Sequence, residues 1–212
     1  MQSHVTGEPT VCPPSVQEVQ RLAAAMPSDV TRALVVTQAG TGLRVSELLA
    51  LRAGDVSTTF RTFNVSSQLS RTGERIATKT SESQRTVPMP QAVADVLDSL
   101  IGEGASPDAL VFSTRGRPIR QNTYHVQFKA AAKRAGLRSS LSSHDLRHHY
   151  ATTLLRAGMS PVAVGHLLGH SDGALVVKTY AHWMPADDDV ARAALDAAWA
   201  KESDGRATLT AL

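Results

Sequence analysis

A single cysteine, Cys12, stands among 212 residues. No disulfide can form within the chain, and a reducing compartment suits it. No run of residues approaches the ~20 consecutive apolar positions that a membrane-spanning helix needs. The opening stretch MQSHVTGEPT lacks the charged region followed by an apolar region that marks a secretory signal. Internal repeats and low-complexity segments are also missing. These absences exclude a disulfide-stapled scaffold and a solenoid, and they predict a soluble, cytoplasmic chain with no membrane partner. One further absence is local: from Arg115 to Arg138 there are seven Lys or Arg and no Asp or Glu.

The hydrophobic content of 42% is enough for one core of ordinary size, and the charged content of 19% is too low for a disordered chain. The net charge of +3 leans only slightly towards a polyanionic partner, so the basic stretch says more than the total. Such a stretch can serve a nucleic-acid surface, but taken alone it is more often a solvated helix face.

Residues 1–14, with three prolines and no periodicity, read as a linker. Ser15 and Glu18 then form a capping-box pattern, and Val16, Val19, Leu22 and Met26 make an apolar stripe at helical spacing. A second helix is predicted near Asp29 to Gln38, and a third from about Val45 to Arg52. Between Phe60 and Pro88, alternating apolar and polar residues around the Arg71-Thr72-Gly73 turn predict a small antiparallel sheet of about three strands. Helices follow near Pro90 to Ile101 and from Arg120 to Ala135. Ser143 is the expected N-cap of the next helix, and Ser160-Pro161 opens another that Gly169 ends. Two short helical segments come last, one holding Tyr180 and one from about Asp187 to Ala200, before a frayed tail from 203 to 212. The expected fold class is mainly α with a small antiparallel β-sheet.

Several side chains carry chemical potential. His144 and Arg147 are three residues apart on one predicted helix face, and so are Arg44 and Glu47 on another. An arginine is a planar, permanently charged fork that fits two phosphate oxygens at once. Taken singly, each arginine reads better as a salt-bridge partner, Lys79 as a solvated lysine and Tyr180 as a packing residue. His144 and His148, with Asp145 between them, approach a zinc-hydrolase spacing, and His166 and His170 repeat the interval. Asp145 is shorter than the glutamate such a site uses as base, and Arg147 beside His144 would repel a cation.

Taken in order, five boxes resemble the phage-integrase family of tyrosine recombinases. They are Thr41-Gly42-Leu43-Arg44-Val45-Ser46-Glu47-Leu48; Thr78-Lys79-Thr80 with Arg85-Thr86-Val87-Pro88; His144-Asp145-Leu146-Arg147-His148; Leu167-Leu168-Gly169-His170; and Tyr180, ten residues beyond His170. The resemblance implies a tyrosine recombinase catalytic domain over residues 15–202. It implies DNA cleavage and rejoining through a 3′-phosphotyrosine on Tyr180, with Arg44 and Arg147 clamping the phosphate. Lys79 would protonate the leaving oxygen, His144 would help take the tyrosine proton, and His170 would donate to a phosphate oxygen. Glu47 would orient His144 or Arg44. Arg120, Lys129, Lys133 and Arg134 would track the DNA backbone. No metal and no cofactor is implied. The implied partners are double-stranded DNA and further copies of the chain, a tetramer on DNA and a monomer without it. A helix starting at Ser15 leaves no room for the family's usual upstream clamp domain. Relaxation of DNA by the same site, a DNA-binding module without turnover, and the zinc hydrolase stand as alternatives.

Overall fold

Ser15 opens the fold in the expected way. Its backbone N–H donates to Glu18 Oε2 at 2.8 Å, and the Glu18 N–H returns to Ser15 Oγ at 3.2 Å. This reciprocal cap starts helix α1 (Val16–Ala24), whose Val19, Leu22 and Ala23 turn inward while Val16 remains 58% exposed. The computed structural model describes residues 12–78, 84–169, 173–180, 191–193 and 195–200. Among these, α2 (Asp29–Thr41) runs three residues beyond the predicted end and stops at Gly42, which takes a left-handed φ of 65°. A Cβ on Gly42 would lie 2.4 Å from the Tyr150 ring and 2.9 Å from Leu168, so both backbone conformation and space call for glycine.

Helix α3 (Val45–Leu48) is shorter than predicted. The chain leaves it because residues 51–53 pair with a distant segment instead: Val111 donates to Leu51 O, Ala53 donates to Ala109 O, and Arg52 bridges Leu110. A short 3-10 turn (Ala53–Asp55) leads into the strands.

A three-stranded antiparallel sheet has the order β1 (Val56–Ser57), β2 (Thr62–Val65), β5 (Arg85–Pro88). Phe63 faces Val87 and Val65 faces Arg85 across the β2–β5 pair. Because strand side chains alternate, Arg85 shares the buried face of β5 with Val87. Strands β3 (Ser67–Leu69) and β4 (Arg75–Ala77) form a separate hairpin around the 71–73 turn. After α4 (Gln91–Ile101), a second hairpin of β6 (Ser113–Thr114) and β7 (Arg117–Pro118) was not foreseen, its strands being too short to show periodicity.

Helix α5 (Gln121–Arg134) inserts Tyr124 and Phe128 into the main core, beside Leu34, Phe63, Leu97 and Phe112. Helix α6 (Ser143–Arg156) begins one residue earlier than predicted, so its N-cap is Ser142. The shift puts Asp145 within reach of Ser142, accepting from its N–H at 2.7 Å and its hydroxyl at 2.8 Å. Ser160 caps α7 (Pro161–Leu168) through the Ala163 N–H, and Gly169 ends it with a left-handed φ of 67°. Helix α8 (Gly173–Tyr180) packs on α7. Tyr150, Leu155, Val164, Leu168, Val176 and Tyr180 form a second, smaller core that joins α6, α7 and α8. Among the described residues, no helix is long and apolar enough to cross a membrane.

Candidate active site

The C-terminal end of α7 is where the sequence boxes converge. Three successive carbonyls there each accept from an arginine of a different element. Arg85 Nε of β5 donates to Leu167 O at 2.7 Å, Arg147 Nη2 of α6 to Leu168 O at 2.6 Å, and Arg44 Nη2 to Gly169 O at 3.2 Å. Carbonyls at a helix C-terminus lack helical partners and carry the negative end of the helix dipole, which favours cations. Gly169 belongs at this junction, since a Cβ on it would fall 2.7 Å from Arg85 Nη1. Arg147 is further fixed by donating from Nη1 to Gly42 O at 2.7 Å.

Glu47 supplies the counter-charge. Its carboxylate is 3% exposed and accepts from Arg44 Nη1 at 3.0 Å, from the Arg44 backbone N–H at 2.8 Å, and from both Arg85 terminal nitrogens at 3.2 and 3.0 Å. Burial pushes the Glu47 carboxyl up, but hydrogen bonds and charge from Arg85, together with Arg44, outweigh burial and hold it below the usual carboxylate value. Of the two expected partners, it orients Arg44. Arg85 is the residue that the sequence reading did not single out. The available signal was the R-T-V-P alternation, which places Arg85 on the same face as the core residue Val87.

The three arginines differ in access. The Arg85 side chain is 0% exposed and Arg44 40%, so Arg44 opens the cluster to solvent. Arg147 is buried, and burial followed by the Arg44 cation lowers its pKa to about 9, which still leaves it charged at neutral pH.

Tyr180 ends α8 with its ring in the smaller core and its side chain almost wholly buried. The hydroxyl lies 2.5 Å from Nδ1 of His148. His144, expected to help take the tyrosine proton, stands behind His148, the two rings edge-to-face with centroids 4.6 Å apart. The reason is helical geometry: His148, one turn beyond His144, points at α8 where Tyr180 sits. Burial pushes the Tyr180 hydroxyl up to about 12, against the pull of Arg147. Burial, then His144 and Arg147, lower His148 to about 4, against the opposing pull of Asp145. Both groups are therefore neutral at neutral pH. His144 is also held below its ordinary value, by burial and the neighbouring arginines.

The comparisons with known proteins agree with this arrangement. Residues 15–186 match the Phage integrase family. The chain belongs to the phage integrase family. It is 34% identical over 179 residues to tyrosine recombinase XerD of Corynebacterium glutamicum, covering 79% of this chain and 56% of that one. It is 27% identical over 164 residues to the integrase of Staphylococcus phage L54a, covering 70% of this chain and 46% of that one. Among solved structures, the Tn1549 transposon integrase in complex with transposon right end DNA superposes with a TM-score of 0.73 at 27% identity, over 92% of this chain and 68% of that one. This integrase-family chain thus spans about half the length of the curated relatives it matches.

Arg44, Glu47, Arg147 and Tyr180 meet around α6 and α7. Lys79 and His170 lie outside the described residues. The four residues expected to track DNA divide into two kinds. Lys129 Nζ donates to Ser139 O and Leu141 O at 2.9 and 2.8 Å, and Arg134 Nη2 donates to Ala25 O at 2.5 Å. These two fasten loops around α5, because the carbonyls there lack other backbone donors. Arg120 and Lys133 are exposed. Arg120 lines a cleft with Arg71 and Arg117, between the β3–β4 turn and the start of α5. Among the described residues, no group of three or more His, Cys, Asp or Glu is arranged to hold a metal ion.

The depressed Glu47 value predicts a pH signature. Its contribution to stability is present above the ordinary carboxylate value of 4.5 and is lost as pH falls through the lower folded value. Urea unfolding of wild type and Glu47→Gln from pH 7 down to pH 3 is expected to show a stability gap that is constant above that value and narrows below it. A gap unchanged through the acidic range would mean that the carboxylate charge contributes nothing.

Proposed function

We propose that this chain is the catalytic part of a site-specific tyrosine recombinase, one that breaks and rejoins double-stranded DNA through a covalent bond to Tyr180. A single observation carries the reading: a buried tyrosine hydroxyl sits beside a cluster of three arginines that, among the described residues, share one carboxylate, Glu47. Such a cluster suits a phosphodiester whose negative charge grows in the transition state. Tyr180 Oη attacks phosphorus as its proton is taken up with the help of His144, the bond to the 5′-oxygen breaks, and a 3′-phosphotyrosine forms. Arg44 and Arg147 hold the non-bridging oxygens, Lys79 protonates the leaving 5′-oxygen, and His170 donates to a phosphate oxygen. The covalent intermediate keeps the phosphodiester bond energy, so rejoining needs no nucleotide and no cofactor. Arg85 and Glu47 act behind them by fixing Arg44.

The exposed arginines Arg71, Arg117 and Arg120 form the backbone-binding cleft in this reading, where contacts position DNA without reading its sequence. The described side chains of the helical stretch 191–200 are exposed, with Leu195 at 60% and Trp199 at 75%. Four residues apart on one helix face, these two apolar side chains fit the surface of a second copy of the chain assembled on DNA.

The covalent step is tested by incubating the chain with supercoiled plasmid and with a nicked trapping duplex in EDTA, then quenching with SDS. Wild type is expected to give protein–DNA complexes that survive SDS, and Tyr180→Phe none. Equal amounts from both proteins would remove Tyr180 as the nucleophile. The cleft is tested by replacing Arg71, Arg117 and Arg120 with glutamine. Binding to duplexes of unrelated sequence should weaken equally, and the slope of log K against log salt should fall by about 0.9 for each lost phosphate contact. An unchanged slope would place the DNA elsewhere.

A further inference from the structure

Tyr180 approaches the arginine cluster from a different helix, and nothing in the chemistry above fixes where its oxygen points. A tyrosine ring turns about two side-chain bonds, so burial of the ring locates the hydroxyl only roughly. The structure supplies a specific anchor. Nδ1 of His148 is 2.5 Å from Tyr180 Oη, and the two rings stand edge-to-face with centroids 5.5 Å apart and planes at 61°. His148 is itself braced, since the His144 ring meets it edge-to-face at 84°.

His148 follows Arg147 directly in α6. Arg147 is tied to Gly42 O and Leu168 O, so the backbone that carries His148 is fixed relative to the arginine cluster. One helix therefore holds both a cationic fork of the cluster and the acceptor of the tyrosine hydroxyl. Among the described residues, the charged and titratable groups around His148 are His144, Asp145 and Arg147 of its own helix and Tyr180 of α8.

We propose that His148 is the positioning residue of the nucleophile: its Nδ1 accepts the Tyr180 O–H and sets the oxygen at one distance from the arginine cluster. The inference rests on Tyr180 being the attacking group, as argued above. In this arrangement the hydroxyl donates, so the ring proton of His148 is on Nε2. A protonated His148 has no lone pair on Nδ1 to offer, and the low value produced by burial and the neighbouring arginine keeps the ring neutral and able to accept. Positioning of a reacting atom carries large rate effects: a displacement of about 1 Å costs on the order of 100-fold.

Two readouts test the proposal on the full chain. The first needs no catalysis. In 15N-histidine-labelled protein, the ring spectrum of His148, assigned by its loss in His148→Asn, should show protonated Nε2 and a bare Nδ1 shifted by a hydrogen bond. That shift should vanish in Tyr180→Phe. A protonated Nδ1, or a signal indifferent to Tyr180→Phe, would overturn the pairing. The second readout is the single-turnover rate of covalent complex formation on the nicked duplex. His148→Ala should be about 10- to 100-fold slower with duplex affinity unchanged. His148→Asn places an amide oxygen near the position of Nδ1 and should recover most of that loss, which a merely structural effect of His148 would not do. His148→Ala cleaving at the wild-type rate would overturn the role, as would Asn and Ala variants slowed equally. Wild type and Tyr180→Phe both lacking covalent complexes would instead overturn the nucleophile assignment, while the ring spectrum still decides the pairing.

Discussion

Three guanidinium groups drawn into one small volume repel one another and resist leaving water, so the site depends on what compensates them. The compensation comes from one buried carboxylate and from the carbonyls at the end of α7. Glu47 receives hydrogen bonds from Arg44 and Arg85. The carbonyls of Leu167, Leu168 and Gly169 each take one arginine. Among the described residues one carboxylate stands against three cations, a balance that favours an anion. Had each arginine its own acid, the pairs would be neutral and a phosphate would have to displace a carboxylate.

The arrangement also explains why backbone geometry matters at two glycines. Gly42 presents its carbonyl to Arg147 and Gly169 presents its carbonyl to Arg44, both from left-handed conformations that end a helix. The larger core, built on α1, α2, α4, α5 and the three-stranded sheet, is the platform for Arg44 and Arg85. The smaller core carries Tyr180. Helix α6 reaches both, since its Leu146 packs in the larger core and its Tyr150, Ala151 and Leu155 in the smaller. That double attachment fixes Arg147 and His148 with respect to everything else in the site.

Local features of this organisation were legible in the sequence. Ser15 with Glu18, Ser160-Pro161 with Gly169, and the Arg44–Glu47 pair all act over three to nine residues, where spacing alone constrains geometry. The family boxes located Arg147 and Tyr180 because their order is a strong pattern. Interactions across long separations were not legible. Arg85 meets Glu47 over 38 residues and Leu167 over 82, and His148 meets Tyr180 over 32. The early end of α3 has the same origin, since its would-be last turn pairs with residues 109–111. The shift of a cap from Ser143 to Ser142 was a matter of register, decided by which serine Asp145 can reach.

The organising role of the buried ion pair is tested most directly by a double-mutant cycle on unfolding free energy with Glu47→Gln, Arg85→Met and the combination. Each single change leaves a buried polar group without its partner and should cost about 3–5 kcal/mol. The double variant should cost much less than the two together, giving a coupling of roughly 2–3 kcal/mol. Additive losses, with coupling below about 0.5 kcal/mol, would contradict the account and mean that the arginines are placed by packing alone.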